Sequence, residues 1–460
     1  MDILLVCSEI APWVRRTDVA EVVASLSKTI RQVGHAVSVV APYSKSYEDG
    51  GLLLARRLSP LKLDDNVALT VLDTQLTSGV QLSLIQMGAE PNELTDLSQA
   101  QKFAHAVAAW VRDRRDIGTR TEVVHVLDWF GGLVGVALKS IPEPPPVVLT
   151  IQDIGGQPNT AGFSQESAAP ELIVGGEVHL AAAALRTASC VTAVSEAYLR
   201  VLKDAKYSGK LAEVINELSP PPVGILSGID YSKMNPAIDP LIVARYDAED
   251  HSQKGTCKTA LQRELGLELD LDCPLLFYRG PLKDDPASRA FLQSIERLLD
   301  QNLSLIIGQH EQDDAALLAE VQNLAQKWPN RIAMLALGAP QPLHRAMSGA
   351  DFAILTSLQS PLDTTAQFAQ RYGTVPIAVA NAACAESLVD CDANLETGHA
   401  FLFEQESVEE LLGAVARAVT AYGRREFVRL RRRAMRRDLG WERPARRMIQ
   451  VYRQALGIRL

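Results

Sequence analysis

The sequence predicts an α/β protein made of two successive units, each built around a parallel sheet. Three observations predict this fold class. Short apolar runs alternate with helix-period patterns along most of the chain. The alternation stops at "SGIDYSKMNPAIDP" and then restarts, which places a joint near residues 225–240. The length of 460 residues exceeds what one hydrophobic core usually supports, so two domains are expected.

The first predicted unit opens with the strand "DILLVC". Apolar residues then recur at helical spacing from Val19 to Val33, and Gly34 is placed to end that helix. "HAVSVVAPY" follows as the next strand. Further strands of this unit are predicted at "VQLSLIQM", "EVVHVLD", "PVVLTIQ", "SCVTAVS" and "PPVGIL".

The second predicted unit repeats the same alternation and ends in a helix over about residues 443–457. Because the carboxyl ends of parallel strands meet at one edge of a sheet, we expect ligand-binding residues just after the strands. The strands of this unit are predicted at "PLLFYRG", "LSLIIGQ", "RIAMLAL", "DFAILTS" and "TVPIAVA".

Composition excludes several classes of protein. A hydrophobic content of 47% with 22% charged residues is typical of a globular protein. The formal charge of −9 argues against a nucleic-acid-binding protein. No apolar run reaches membrane length, so we expect no membrane association and a cytoplasmic location. Six cysteines are scattered without metal-binding spacing, which predicts reduced thiols and no metal site: Cys7, Cys190, Cys257, Cys273, Cys384 and Cys391.

The first strand–helix turn, "APWVRRTDVAEVV", raises the question whether an anion can bind at the N-terminus of the helix that follows. An α/β fold often holds a phosphate at such a helix N-terminus, which requires glycines and free N–H groups. This turn has no glycine, and Asp18 occupies the expected N-cap position with Glu21 three residues later. Their side chains are expected to satisfy the first-turn donors. The turn therefore predicts that no phosphate binds there.

The order of motifs resembles that of bacterial glycogen synthases and plant starch synthases, nearly from end to end. "VCSEIAPWVRRTDVAEVV" resembles that family's "CSE…P…KTGGLADV", "VVHVLDWFGGL" its "HAHDWH", and "LTIQDIGGQ" its "TIHN…QG". "CVTAVSEAY" and "GILSGIDYSKMNPAIDP" resemble "VS..Y" and "GILNGID…W.P..D", while "FYRGPLKDD" lies where the family has "RL..QKG". "TSLQSPLDTTAQFAQRYGTVPIAV" resembles "PS.FEPCGL.Q…YGT.PIV", and "RRDLGWERPARRMIQVY" the closing "DFSW" helix.

The resemblance implies a GT-B fold, in which two Rossmann-like domains face a cleft and the C-terminal helix crosses back to the N-terminal domain. Residues 1–232 would form the acceptor side, 233–437 the nucleotide-sugar side, and 438–460 the crossing helix. The implied activity is transfer of glucose from ADP-glucose to an α-1,4-glucan. It requires no metal and no cofactor.

Few of the family's site residues are retained. Asp128 and Arg279 match catalytic-site positions, and Arg15 replaces a donor-contacting Lys while keeping its charge, so Arg15 and Arg279 are candidate donor-binding residues. Each also has a purely structural interpretation. Asp128 could cap a helix beside Trp129, and the arginines could form surface ion pairs.

Other family positions are replaced. Gln152 stands in place of a His, Asp284 in place of a Lys and Ser360 in place of a Glu. Three turns that would face the donor each gain an aspartate. As a helix N-cap, such an aspartate would stabilise the fold by about 1 kcal/mol. A carboxylate about 4 Å from a bound diphosphate would cost about 4 kcal/mol in repulsion near a surface, so the aspartates argue against diphosphate binding. The further replacements of family residues are Thr17 and Asp18, Leu127, Asp153, Asp285, Asp363, Ala382 and Ala383.

Two functions from different classes therefore remain open. The favoured one is a non-catalytic or strongly impaired descendant that acts as a binding or regulatory module in α-glucan metabolism, with binding of α-glucan or ADP-glucose weak or lost. The alternative is an active glucosyltransferase. A transferase using another donor would need a replacement cation cluster, which the cleft motifs do not supply.

The most basic stretch, residues 424–447, also has two interpretations. Apolar Phe427, Leu430, Ala434 and Trp441 could seat one side of it. The arginines would then form either the solvated face of a closing helix or a docking site for an acidic protein partner or polyanion. The arginines expected to be largely exposed are Arg425, Arg429, Arg432, Arg433, Arg436 and Arg437.

Overall fold

A computed structural model describes residues 1–64, 66–88, 97–153, 170–174, 177–357, 364–381 and 384–458. The chain divides into two compact units. Unit 1 comprises Met1–Gly228 and Trp441–Leu460, and unit 2 comprises Ile229–Gly440. Among the described helices, none is both long and apolar enough to cross a lipid bilayer.

Unit 1 is organised around a sheet whose strand order is β12-β11-β8-β7-β1-β2-β6-β5-β3, with β4 also paired to β5. The strands from β12 to β6 run parallel, and β5 turns back antiparallel to β6. Two further short strands, β9 and β10, pair separately. The strands are β1 Asp2–Val6, β2 Ala36–Pro42, β3 Ala55–Arg56, β4 Leu61–Lys62, β5 Ala68–Gln75, β6 Gln81–Gln86, β7 Val123–Leu127, β8 Val147–Ile151, β9 Ile173–Val174, β10 Glu177–Val178, β11 Cys190–Ala193 and β12 Val223–Gly224.

The helices of unit 1 cover this sheet. Every residue of β7 and β8 is buried, which explains why these strands read as continuous apolar runs. Gly132 on α4 lies so close to α5 that an added Cβ would be 2.2 Å from the Leu180 carbonyl oxygen, so this helix pair requires glycine there. The helices are α1 Val19–Gln32, α2 Ser46–Asp49, α3 Leu97–Asp116, α4 Gly131–Leu138, α5 Leu180–Thr187, α6 Glu196–Leu202, α7 Ala205–Ser208, α8 Leu211–Glu217 and, from the far end of the chain, α16 Glu442–Ala455.

The C-terminal helix α16 is fixed to unit 1 by a buried polar chain. Tyr452 on α16 and His125 on β7 are fully buried, with 2.8 Å between the Tyr452 hydroxyl and His125 Nδ1. His125 Nε2 lies 2.7 Å from Thr150 Oγ1, which lies 2.6 Å from Thr192 Oγ1. Burial lowers the pKa of His125 to about 3, so its ring is neutral at pH 7. A neutral ring then bridges α16 and two neighbouring strands.

Unit 2 contains a six-stranded, fully parallel sheet of order β15-β14-β13-β16-β17-β18. Its strands are β13 Leu275–Tyr278, β14 Ser304–Gln309, β15 Ile332–Ala336, β16 Phe352–Leu355, β17 Val375–Val379 and β18 Phe401–Phe403. Its helices are α9 Lys254–Leu265, α10 Pro286–Leu299, α11 Ala315–Lys327, α12 Pro340–Gly349, α13 Thr364–Arg371, α14 Val408–Tyr422 and α15 Glu426–Met435.

Two buried lysines tie α9 to the amino-end side of this sheet. Lys254 Nζ donates to the carbonyls of Met347, Ser348 and Tyr372 at 3.0–3.2 Å. Lys258 Nζ lies 2.8 Å from the buried Asp351 carboxylate. Burial lowers the pKa of Lys254 well below its ordinary value. The extensive hydrogen bonding explains how two such groups can be accommodated in a core.

The predicted α/β fold class with two parallel-sheet units is confirmed, and the structure adds strands that the apolar pattern did not reveal. The closing helix predicted over 443–457 is α16. The additions are β3, β4, β5, β9, β10 and β18. β5 reads "ALTVLDTQ" and its burial is only partial, so polar residues interrupt its apolar run. The strand predicted at "PPVGIL" is confined to Val223–Gly224.

Candidate functional site

The carboxyl ends of β7 and β8 bring Asp128 and Gln152 together in unit 1. Asp128 has a left-handed backbone, with φ 66°, and its N–H donates to the Thr150 carbonyl at 2.9 Å. Its Oδ1 accepts the backbone N–H groups of Gln152 at 2.6 Å and Asp153 at 3.0 Å. The N-cap position of α4 is occupied by Phe130. The carboxylate of Asp128 therefore joins two strand ends, and the expected helix-cap role is wrong.

The surroundings of Asp128 change its proton affinity. Burial raises the pKa of Asp128 to about 7, although the two backbone N–H donors lower it and the nearby charge of Asp153 raises it further. A carboxyl group with such a pKa can exchange a proton near neutral pH.

Gln152 is 4% exposed, and its Nε2 has no hydrogen-bond partner among the described residues. The amide has no titratable proton near neutral pH, unlike an imidazole. Beside it lies a small hollow lined by Asp128, Trp129, Leu149, Ile151, Asp153, Ala181, Ala184 and Leu185. The site therefore places a titratable carboxyl group beside an uncharged amide.

The turn between β1 and α1 is closed by Glu9, which sequence reasoning missed. Glu9 is 2% exposed, and its carboxylate accepts the backbone N–H groups of Arg16 at 2.5 Å and Thr17 at 3.0 Å, together with the Thr17 hydroxyl. Burial raises the pKa of Glu9, and these hydrogen bonds lower it. An internal carboxylate thus occupies N–H groups that could otherwise face an anion.

The expected capping pattern at α1 is wrong in its details. Asp18 stands at the N-cap position, but its backbone is already helical and its side chain makes no capping hydrogen bond. The Val19 N–H instead meets Thr17 Oγ1 at 3.2 Å. Glu21 lies 3.4 Å from Arg15, the candidate donor-binding residue. The Arg15 charge is therefore partly offset by a neighbouring carboxylate.

In unit 2, Arg279 follows the end of β13 and is held from two sides. Its guanidinium donates to the hydroxyl of Thr365, in the first turn of α13, and its carbonyl accepts from His310 Nε2 at 2.5 Å. The loop after β14 also holds the turn that follows Arg279, since Asp313 Oδ1 accepts the Leu282 N–H at 2.9 Å. Arg279 is thus a positioned side chain on a built turn. No sequence pattern indicated the roles of Thr365, His310 or Asp313.

The two aspartates of this turn have different roles. Asp285 is the N-cap of α10, and its Oδ1 accepts the Ser288 N–H at 2.8 Å, ahead of Pro286 at the start of the helix. Asp284 does not cap the helix. It forms an exposed ion pair with Arg289 at 2.7 Å. The predicted repulsion of an anion by both carboxylates is therefore reduced at Asp284.

Several predicted site residues lie outside the described part of the chain. These are Ser360, Asp363, Ala382 and Ala383. Among the residues that are described, no group of three or more His, Cys, Asp or Glu side chains is placed to hold a metal ion.

Comparison with known proteins shows which enzymes this chain resembles. The starch synthase catalytic domain profile matches residues 2–217. Glycogen synthase 2 of Geobacter metallireducens is 28% identical over 480 residues, covering 98% of each chain, and glycogen synthase of Anaeromyxobacter sp. is 29% identical over 490 residues. The chain is therefore similar to glycogen and starch synthases over nearly its whole length.

Solved structures agree on the fold. The catalytic domain of starch synthase IV from Arabidopsis thaliana, bound to ADP and acarbose, superposes with a TM-score of 0.85 at 20% identity over 99% of each chain. Anabaena HepE, in complex with UDP and glucose, gives a TM-score of 0.60 at 11% identity. These neighbours are GT-B glycosyltransferases, so this chain has the GT-B fold.

The Arg-rich segment, residues 424–447, is not one continuous exposed face. Phe427, Leu430 and Ala434 are buried in unit 2, whereas Trp441 is buried in unit 1. Arg433 is half-buried and donates to three backbone carbonyls in the loop before β18, at 2.6–3.2 Å. The prediction of six largely exposed arginines is wrong for Arg433, which stabilises that loop, and for Arg432 and Arg437, which are also half-buried.

Other arginines of the segment have carboxylate partners. Arg436 binds both carboxylate oxygens of Glu249 at 2.6–2.7 Å, and Arg431 lies 2.9 Å from Asp351. Arg425 and Arg429 are exposed. The positive charge available to a partner is therefore smaller than the sequence indicates.

Proposed function

We propose that this chain is a member of the glycogen and starch synthase family that has lost most or all glucosyl transfer and acts as a binding or regulatory module in α-glucan metabolism. The observation that carries the proposal is the closed N-terminus of α10. In this proposal residues 1–232 correspond to the acceptor side, 233–437 to the nucleotide-sugar side and 438–460 to the crossing helix.

Transfer from a nucleotide sugar releases a diphosphate, whose charge must be stabilised by cations and by free N–H groups at helix N-termini. At α10 the Asp285 carboxylate already accepts the Ser288 N–H, and Pro286 has no N–H. The Ser288 hydroxyl in turn accepts the Lys283 N–H at 3.1 Å. A second anion at this helix end would meet an occupied donor and a fixed negative charge.

Two further features support impaired catalysis. The family's histidine is replaced by Gln152, which cannot supply an imidazole, and the family's glutamate is replaced by Ser360. Removing one well-placed electrostatic group typically reduces kcat by about 10²–10³. Several such losses together predict turnover far below that of an active relative.

Ligand binding is the part of the proposal that distinguishes a binding module from an inert fold. The starch synthase IV structure is bound to ADP and acarbose, a nucleotide and a glucan-like inhibitor. We propose that this chain binds ADP or ADP-glucose weakly or not at all, and that α-glucan is its more favourable ligand. An acidic protein partner at residues 424–447 is a further element of the proposal, with Arg425 and Arg429 as its accessible charges.

An active glucosyltransferase is the second candidate function, and the positioned Arg279 favours it. A donor-binding arginine held by Thr365 and the His310 loop is the arrangement that an active site would use. Asp128, with a pKa near 7, would remain available for proton exchange.

Isothermal titration calorimetry with ADP-glucose, ADP and maltooligosaccharides, each titrated separately, tests the binding part. We expect heat with maltooligosaccharides and little or none with the nucleotides. Incorporation of radiolabelled glucose from ADP-glucose into glycogen tests catalysis, with Geobacter metallireducens glycogen synthase 2 as the positive control. Robust incorporation by the unmodified chain would overturn the proposal, and an Arg279→Ala variant would then show whether the activity belongs to this site.

A further inference from the structure

A groove in unit 1 lies at the edge of the sheet opposite Asp128 and Gln152. Its walls come from residues 120–122, immediately before β7, and residues 143–146, immediately before β8, so it lies at the amino ends of these strands. The groove encloses about 240 Å³ of space. This volume suits a small ligand, since sites for drug-sized molecules begin at about 300 Å³.

One buried hydroxyl in this groove lacks a partner. Thr121 is 6% exposed, and its Oγ1 has no hydrogen-bond partner among the residues that the structure describes. Buried hydroxyl groups are nearly always hydrogen-bonded, because leaving one unpaired costs about 1–3 kcal/mol. Thr121 lines the groove, so a bound molecule could supply the missing partner.

The charged side chains around the groove differ in whether they have hydrogen-bond or ionic partners. Arg115 donates to the carbonyls of Pro142 and Glu143 and lies 3.5 Å from the Glu143 carboxylate. Glu122 accepts the Asp2 N–H at 2.6 Å. Arg120 is exposed and has neither an ion pair nor a side-chain hydrogen bond within the described ranges. Among the described residues, Arg120 is therefore the charged side chain of the lining that has no ionic partner.

The remaining lining is apolar and rigid. Val111 and Ile141 are buried at the base, and consecutive prolines at 144–146 form one wall. Proline fixes its own backbone torsion, so this wall loses little conformational freedom when a ligand binds. The groove thus combines an apolar surface with one accessible guanidinium and one unsatisfied hydroxyl.

We propose that this groove is a binding site for a small amphipathic carboxylate, in which Arg120 pairs with the carboxylate, Thr121 donates a hydrogen bond and the apolar body lies against the prolines and Ile141. Arginine suits this role because its planar guanidinium binds a carboxylate in bidentate fashion. The site is separate from the carboxyl ends of the strands, and the inference does not depend on the proposed function.

Isothermal titration calorimetry of the full chain with two matched probes tests this site. 4-Phenylbutyrate carries the carboxylate and 4-phenylbutan-1-ol replaces it with a neutral hydroxyl group. We expect 4-phenylbutyrate to bind at least about tenfold more tightly, which is about 1.4 kcal/mol. Equal affinities, or no detectable heat from 4-phenylbutyrate at millimolar concentration, would overturn the proposal.

Three variants locate the binding. Arg120→Gln should weaken 4-phenylbutyrate at least about tenfold and leave 4-phenylbutan-1-ol unchanged. Thr121→Val should also weaken 4-phenylbutyrate, and it should leave the melting temperature unchanged or higher because it removes an unpaired buried hydroxyl. Arg245→Gln, at an exposed arginine of unit 2 outside the Arg-rich segment, is the matched control and should change neither affinity. Undiminished binding of 4-phenylbutyrate to Arg120→Gln would exclude this groove as the site.

Discussion

Asp128 illustrates how one backbone geometry sets the chemistry of a side chain. Its left-handed φ of 66° turns the carboxylate back onto the N–H groups that follow β8. Aspartate and asparagine tolerate this conformation better than most residues do. Burial then raises the pKa to about 7, which makes this carboxyl group a pH-sensitive element of the fold.

Because the folded-state pKa of Asp128 is above its ordinary value of 3.8, the folded protein binds this proton more tightly than the unfolded chain does. Its contribution to stability is therefore largest below about pH 4 and is lost as the pH rises through about 7. Asp128→Asn keeps the acceptor oxygen and removes the titration. The unmodified protein loses this contribution between pH 5 and pH 8, whereas the variant does not. We therefore expect the free energy of unfolding of the variant, minus that of the unmodified protein, to rise by about 1–2 kcal/mol from pH 5 to pH 8. Urea denaturation at both pH values measures this, and parallel pH profiles for the two proteins would contradict it.

A substitution at Ser360 can show whether the replacement at this one position is enough to abolish glucosyl transfer. We expect Ser360→Glu not to restore glucosyl transfer, because Gln152 still lacks an imidazole and Asp285 still closes α10. Groups that act as a unit are strongly non-additive, so restoring one of them recovers little rate. Incorporation of radiolabelled glucose into glycogen by the variant and the unmodified chain measures this. Rescue by Ser360→Glu alone would show that the capped α10 does not prevent donor binding.

At the scale of single elements, the two aspartates at the start of α10 are expected to contribute differently to stability. Asp285 caps the helix, whereas its neighbour Asp284 forms an exposed ion pair with Arg289. We expect Asp285→Ala to lower the free energy of unfolding by about 1 kcal/mol. Asp284→Ala is the matched control and should cost less than about 0.5 kcal/mol. Chemical denaturation followed by circular dichroism distinguishes them, and equal effects would argue against the capping role.

Helix α16 depends on a buried hydrogen bond as well as on its apolar face. Tyr452→Phe keeps the ring and leaves His125 Nδ1 without its partner. We expect a loss of about 1–3 kcal/mol in the free energy of unfolding, because a buried polar atom becomes unpaired. Gln450→Ala, at an exposed position of the same helix, should change stability by less than about 0.5 kcal/mol. A Tyr452→Phe variant as stable as the control would show that His125 finds another partner.

At the scale of the whole molecule, unit 1 is completed by residues from the far end of the chain. α16 buries Met448, Ile449, Val451 and Tyr452. Removing such a face exposes side chains that each contribute about 1.5–3 kcal/mol, a total comparable to the stability of a domain. A chain stopped after Gly440 should therefore lose the protease resistance of residues 1–228 and keep that of 229–440.

Limited proteolysis with mass spectrometry measures this, and a chain stopped after Ala455, which retains α16, is the control. Protection of residues 1–228 in the shorter chain equal to that in the control would contradict the expectation.

The α/β class, the two-unit organisation and the similarity to glycogen and starch synthases can be read from the sequence, because buried parallel strands leave continuous apolar runs that survive substitution. The sequence also predicts the aspartate at the start of α10. These features are local in the chain, so a pattern of neighbouring residues is sufficient to reveal them.

The groups that individual side chains contact depend on the tertiary structure. Glu9 closes the first turn, Thr365 and His310 hold Arg279, and Arg433 binds a loop rather than facing solvent. The partners of Arg279 and Arg433 lie some 30 or more positions away along the chain, at contacts set by the order of the strands. Hydrogen-bond partners and burial depend on that packing, so the charge at each site could not be obtained from sequence pattern alone.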